Sequence, residues 1–321
     1  MKTKLCYAAI AAAAMTACTE QIPVVLQEND TKVELSVALQ TGVTKVSGAS
    51  SESQVNDLQI FVFDESGVIE AYGHSNSTSL ALTCLPGSKT VVALANAPAL
   101  PEISSYSELT SVSSSLSDNA VSSLVMEGKV EVTLNSSTSV TIPVKRIAAR
   151  ITLSKITNAL ELDYHRKMTF SVTSVYLINV AGDKKYLVDS DPSSWFNRMQ
   201  NENSSVPFLS QSLGGEAISY NSSYSTSHYF YSYPNHTATD RNGGSWSPRF
   251  TRLVVEAMLG GKTYYYPVTL PEVDQNTAYD ITLTVTRPGS DSPDKPVTTQ
   301  AAEFTIQVLD WEDGGDINET I

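Results

Sequence analysis

Apolar residues recur at every second position along much of this chain. In Asp57–Asp64, Leu58, Ile60 and Val62 fall on one face, with Gln59, Phe61 and Phe63 on the other. Asp64-Glu65-Ser66-Gly67 then supplies turn chemistry, because Asp and Gly favour tight reversals. The same period sets Val33, Leu35, Val37 and Leu39 against Glu34, Ser36, Ala38 and Gln40, and Val130, Val132 and Leu134 against Lys129, Glu131 and Thr133. Further on it groups Ile147, Ala149, Ile151 and Leu153, then Tyr176, Ile178 and Val180, then Leu253, Val255 and Ala257. Tyr264, Tyr266, Val268 and Leu270 form another set, and Tyr279, Ile281, Leu283 and Val285 another. Side chains alternate across a pleated strand, so each set marks one face that has to be buried. The economical solution is sheet packed on sheet, an all-β fold.

Helix signals are few. Ser105-Tyr106-Ser107-Glu108 fits a capping box and opens a weakly amphipathic stretch to Leu116, which predicts a short surface helix between two strands. Glu161–Lys167 has room for one helical turn. Residues 189–249 are rich in Ser, Asn, Gly and Tyr and read as large loops with little regular structure. A chain of 321 residues suggests two domains. The boundary is placed at Val144–Lys145, just before a strand starting at Arg146, and no Pro/Gly/Ser linker marks it. That predicts a close interface between the two.

The first residues change the picture. Lys2 and Lys4 form a basic start, Leu5–Ala14 is an apolar run too short for a lasting membrane span, and Met15-Thr16-Ala17-Cys18 follows. This resembles the lipobox of bacterial lipoproteins, in which Cys18 is acylated and becomes the new N-terminus. Multiple acyl chains on one residue give stable membrane attachment. The alternative is an ordinary secretory signal cut near Ala17. No later segment approaches the ~18 uninterrupted apolar residues of a membrane-spanning helix. With Cys6 in the leader and Cys18 lipidated, only Cys84 remains, so no internal disulfide forms and stability rests on burial and strand pairing. Cys84 lies in the apolar stretch Leu80–Leu85 and reads as a small core hydrophobe. A net charge of −13 argues against a nucleic-acid partner, which calls for basic stripes, and suits a solubilised exterior protein.

Four stretches, in order, resemble the fimbrillin superfamily, which builds the type V pili of Bacteroidetes. They are Val55–Asp64 followed by Gly67, Gly87–Pro98, Leu124-Val125-Met126-Glu127-Gly128, and Val144-Lys145-Arg146-Ile147-Ala148-Ala149-Arg150-Ile151. The second half matches by strand pattern and a late Trp311. The resemblance implies two tandem transthyretin-like β-sandwich domains with a short helix in the first. It also implies assembly by strand exchange: a trypsin-like protease cuts after a basic residue in the loop following the first strand, and a strand of the next subunit fills the groove. On that pattern residues 1–17 are a signal peptide and 18–45 a lipidated propeptide with a removable first strand. Residues 46–144 are then the N-terminal sandwich, and 145–321 the C-terminal sandwich ending in a donor segment. Cleavage falls between Lys45 and Val46, where the family more often has arginine. Phe304, Ile306, Val308 and Trp311 form the expected donor segment.

Enzymatic signatures are missing from the sequence: there is no G-x-S-x-G elbow, no H-E-x-x-H, no P-loop and no C-x-x-C. His74, His165, His228 and His236 have no ligand spacing, and no metal or cofactor is expected. Asp310, Glu312, Asp313 and Asp316 read as a solvated acidic tail, because the nearby glycines miss the EF-hand positions. Tyr220, Tyr224, Tyr229, Phe230, Tyr231 and Tyr233 form an aromatic cluster with two readings. It is a glycan or protein adhesion patch, or it places Tyr229, Tyr231 and Tyr233 on one strand face over the second core; the second is preferred. The expectation is therefore a fimbrial subunit, with other subunits and the outer membrane (through lipid on Cys18) as partners and a host or bacterial surface ligand as a further one. The alternatives are a lipid-retaining anchor of the fimbrium and a monomeric glycan-binding surface lipoprotein.

Overall fold

The structure, a computed structural model, describes residues 31–41, 50–199, 207–240, 246–270, 272–297, 302–310 and 316–317. In the first half the strands are β1 (Val33–Thr41), β2 (Leu58–Asp64), β3 (Ile69–Ser75), β4 (Ser79–Cys84), β5 (Gly87–Ala95), β6 (Ser113–Ser115), β7 (Met126–Leu134) and β8 (Thr138–Arg146). All but β6 join in the order β3-β2-β5-β7-β8-β1-β4. Strands β7 and β8 pair only at Met126–Arg146 and Glu127–Lys145. The order folds at that seam into two layers, with Leu35, Val37, Ile142 and Val144 of one packed on Leu58, Ile60, Val62, Val91 and Ala93 of the other. Cys84 is buried in the same core.

Alternation alone left the second face of β2 open to water. Instead Phe61 and Phe63, with Val92 and Leu94 of β5, are buried in a second core beneath Ile103, Leu109, Leu116 and Val125. The chain from 97 to 125 crosses this face and carries α1 (Tyr106–Leu109). The helix begins where Ser105 predicts, its hydroxyl accepting from Glu108 N at 3.2 Å. It ends well short of Leu116. Serine is a weak helix former, and Ser113–Ser115 pair as β6 with a strand of the second half. The Glu108 carboxylate also reaches one residue further back than a capping box requires, accepting from Ser104 N and Oγ.

The second half contains β9 (Ala149–Asn158), β10 (Phe170–Ile178), β11 (Val180–Ala181), β12 (Asp183–Lys185), β13 (Trp195–Phe196), β14 (Ser210–Ala217), β15 (Ser223–Tyr224), β16 (His228–Ser232), β17 (Thr251–Leu259), β18 (Lys262–Leu270), β19 (Thr277–Val285), β20 (Ala302–Asp310) and β21 (Asp316–Ile317). Helix α2 (Asp163–Arg166) is the single turn expected near Glu161–Lys167. One sheet runs β14-β10-β17-β18 and the other β15-β9-β19-β20-β21, with β16 also on β9. Between them pack Ile151, Leu153, Val172, Val255, Tyr266, Ile281 and Leu283. The protein is all-β, built of sheets packed on sheets. Residues 189–249 hold more strand than their composition suggested, because β14 and β16 find partners distant in sequence.

The chain passes from one half to the other at the fully buried Ile147–Ala148. The halves are joined by the β6–β12 pairing and by a core that runs from Phe61 and Phe63 to Ile151 and Leu153 without a break. Among the described residues no helix is long and apolar enough to cross a membrane.

Candidate functional site

Strand β1 occupies a slot. It lies parallel to β8 from Leu35–Thr138 to Thr41–Val144, and antiparallel to β4 from Val33–Cys84 to Ala38–Ser79. Leu35 and Val37 are fully buried and Val33 and Leu39 pack beside them, so the whole apolar face read from the sequence points into the first core. The opposite face carries Glu34 and Gln40 to solvent.

Behind the slot, the chain that re-enters at Ser50 is gripped by side chains from both halves. Glu52, in the short turn Ser50–Ser53, is 1% exposed. Its carboxylate accepts from Arg150 Nη1 at 3.3 Å and from the Tyr231 hydroxyl at 2.8 Å, while its carbonyl accepts from Arg146 Nε at 3.1 Å. Burial, and then the charge of Glu52, hold the Tyr231 phenol far above its ordinary pKa, so it stays a donor. Two residues on, Asn96 Nδ2 donates to Gln54 O and to Leu124 O, and Asn96 Oδ1 accepts from Asn56 N. Asn96 sits at φ 56°, a left-handed conformation that Asn tolerates. Nearby, Lys184 Nζ donates to Glu127 Oε1 at 2.9 Å, and Leu187 N donates to Glu127 Oε2 at 2.7 Å, tying β7 to the second half.

At the other end of the chain, β20 pairs antiparallel with β19 from Val285–Ala302 to Thr277–Asp310. Ile306 is buried in the second core and Phe304 and Val308 pack against it. These three expected donor residues thus fill their own sheet. Among the described residues, β20 pairs on its outer side only with β21, at Val308–Ile317 and Leu309–Asp316. Cys18, Lys45, Val46 and Trp311 lie outside the described residues.

Residues 31–163, from just before β1 to the start of α2, match the family model for the major fimbrial subunit protein (FimA). The first half of this chain thus resembles the major fimbrial subunit family. The major fimbrium subunit FimA type-2 of Porphyromonas gingivalis is 23% identical over 391 aligned positions, which cover 97% of each chain. The structure of a candidate cell-adhesion protein from Bacteroides eggerthii matches with a TM-score of 0.68 at 18% identity, over 87% of this chain and 96% of that one. That of a fimbrilin (fimA) from Porphyromonas gingivalis gives 0.65 at 16% identity, over 87% and 98%. At these identities the solved structures establish the fold.

The fimbrillin-like motifs now have physical roles. Arg146, Arg150 and Asn96 grip the segment 52–56. Gly128 is required because a Cβ there would come within 2.3 Å of Pro143 O, where β7 meets β8. Sequence reasoning missed Glu52, whose partners lie far away along the chain; its only trace was an acidic residue just before the Val55–Asp64 motif.

The aromatic cluster is not one surface. Tyr224, Phe230 and Tyr233 are buried and only Tyr220 is exposed. Tyr229 and Tyr231 do share a face, with rings 5.9 Å apart, but Phe230 is the strand residue that enters the main core. Tyr231 packs against the same core, in which Tyr233 is also buried, and turns its hydroxyl toward Glu52. The fold also collects His236, Glu272 and Asp274 from distant positions, with Asp274 2.9 Å from the ring Nε2. All three are exposed, and the His–Asp contact has the form of a surface ion pair, worth ~0–1 kcal/mol. On the outer face of β2 and β3, a cleft of about 400 Å³ is lined by Phe61, Tyr72, Leu100 and Ile103.

Proposed function

We propose that this protein is a structural subunit of a cell-surface fimbrium that supports adhesion. In this reading the precursor is lipidated on Cys18 and carried to the outer membrane. A protease then cuts between Lys45 and Val46, β1 leaves, and the C-terminal segment of another copy takes its place. The position of β1 carries the proposal. A first strand inserted between two partners, with its apolar face in the core, leaves on departure a groove with two open hydrogen-bonding edges and empty side-chain pockets. Such a groove accepts an extended peptide by main-chain pairing, with specificity from alternate side chains. The relatives are described as fimbrial and adhesion proteins, which favours a structural role over an enzymatic one.

Since Phe304, Ile306 and Val308 are fixed in β20, the exchanged part begins beyond Leu309, with Trp311 as its large apolar side chain. The lysine at 45, where the resemblance has arginine more often, supports a second reading: an untrimmed anchor that keeps its lipid. N-terminal sequencing of fibres from the cell surface separates the two. A start at Val46, together with loss of both cleavage and fibres in Lys45→Ala, is the expected result. Fibres of normal length that retain residues 18–45 would refute the shaft reading and favour the anchor. Unchanged membrane partitioning and acyl labelling in Cys18→Ser would remove the lipid from either.

A further inference from the structure

We infer that the cleft between β3 and the chain at 100–103 is a saccharide site, which takes a neutral pyranose ring of a surface glycan. This deepens the adhesive part of the reading above and needs nothing from strand exchange. The cleft measures about 400 Å³, a size usual for small-molecule sites. One wall is aromatic. Tyr72 stands 52% exposed on β3, and its ring leans on Phe61 with centroids 5.0 Å apart and planes 48° apart. A lone exposed tyrosine is ordinary. This one belongs to an aromatic pair, and Leu100 and Ile103 complete the apolar lining.

The polar atoms decide the ligand. Gln59, which lines the cleft, is 2% exposed, and its Nε2 donates to Ala97 O at 3.0 Å and to Pro98 O at 3.1 Å. Two carbonyl partners fix which end of the amide is which. Oε1 is left with the Tyr72 hydroxyl at 3.5 Å, the outer limit of a hydrogen bond. A buried oxygen so weakly satisfied gains from a donor that a ligand brings. Glu70 also lines the cleft, but its charge is already met by Lys89 Nζ at 2.5 Å and by Leu85 N. Glu102 is exposed at the rim, where it would repel an acidic sugar. The side chains therefore set acceptors beside an aromatic surface. A pyranose answers both, with hydroxyl donors around its ring and a C–H face to lay on Tyr72. The cleft also lies on the Phe61 side of β2, whereas Leu58, Ile60 and Val62 on the other side pack in the core that holds β1. Exchange in the β1 slot would thus leave it free, and weak sites repeated along a fibre gain by avidity.

The experiment is saturation-transfer NMR titration of the full chain with lactose, maltose, cellobiose, α-mannobiose and chitobiose. Wild type is compared with Tyr72→Ala, Tyr72→Phe and Glu102→Ala. At least one disaccharide should bind the wild type. Tyr72→Ala should weaken that binding by ~10-fold or more, the scale of losing a large aromatic anchor. Tyr72→Phe keeps the ring and should keep most of the affinity. Glu102→Ala removes one acceptor and should cost ~3-fold. Should Tyr72→Ala fail to fold, Glu102→Ala carries the test. Failure of all five sugars to bind overturns the proposal, as does binding that both alanine variants leave unchanged. Arginine amide that binds more tightly than any sugar, and is lost in Tyr72→Ala, would make the cleft a seat for a basic side chain and overturn the saccharide. A chain that binds sugar yet forms no fibre would count against the fimbrial reading alone. Fibres that bind no sugar would count against this site alone.

Discussion

The first strand and the last long strand are matched in length and pattern, and opposed in how they are held. β1 and β20 each span nine residues and each turn an alternating apolar face to a core. β1 lies inside its layer, hydrogen-bonded along most of its length to β8 on one side and β4 on the other. β20 is bonded fully on one side and, on the other, among the described residues, only at its end by β21. A strand gripped on both sides cannot leave by fraying; its bonds have to be lost together, or replaced one by one by an incoming strand. A strand at an edge can be extended or relieved of a short partner without disturbing its own sheet. The difference fits the roles proposed above: on that reading the N-terminal strand is the one cut free, and the C-terminal end is the one that reaches out.

The sharpest way to break this contrast is to remove β1 outright. A chain beginning at Val46 loses Leu35 and Val37 from the first core, at ~1.5–3 kcal/mol for each fully buried side chain, and exposes the edges of β8 and β4. Domain stabilities are only about 5–15 kcal/mol. We expect such a chain to self-associate or unfold rather than persist as a monomer. A synthetic peptide with the sequence of Val33–Thr41 should restore a monomer in size-exclusion chromatography with light scattering. A peptide-free monomer with the melting temperature of the full chain would mean that β1 is dispensable, and the contrast would fail.

A milder test uses the same side chain in both strands. Val37 is fully buried, whereas Val308 is half-buried. Val37→Ala should cost about 1.5–2.5 kcal/mol, from two lost methyl groups plus a small cavity. Val308→Ala should cost less than ~1 kcal/mol, because part of its surface already meets water. Urea unfolding of the two variants measures both, and equal costs would show the strands to be equally embedded.

Much of this was legible from period-two alternation. The apolar faces of β1, β7 and β19 were correctly assigned because each has one face in a core and the other toward water or polar neighbours. The pattern is less informative where both faces are covered. In β2 the chain carrying α1 shields Phe61 and Phe63, and in β16 the junction shelters Tyr231 on the side opposite Phe230. A residue's sequence shows what it tolerates, and not which of two dry faces it meets. The clamp was illegible for a different reason. Glu52, Arg150 and Tyr231 are separated by most of the chain, and a lone buried carboxylate looks like a surface one until its partners are placed. Helix α1 shows the limit of a local signal. Ser105 fixed its start, while its end was decided by β6 pairing with β12.

The smallest expected effect on stability falls on the tail. Deleting Trp311–Ile321 removes β21, whose pairing involves only Val308 and Leu309 of β20. β20 keeps its full register with β19, and Ile306 stays in the core. The truncated protein should therefore unfold within about 0.5 kcal/mol of the full chain, the usual range for changes away from the core. Its assembly should differ completely. On the strand-exchange reading, once cut at Lys45 it would still offer an open groove and accept a donor, yet have none to give, so it should cap a growing fibre. Mixing it with full-length subunits should shorten fibres in proportion to its share, as read by electron microscopy. If the mixture polymerises to the length of the pure protein, the donor lies elsewhere, and the edge position of β20 has no part in assembly. If instead the truncated protein melts well below the full chain, the tail is a structural part of the second sandwich, and the comparison between the two strands loses its basis.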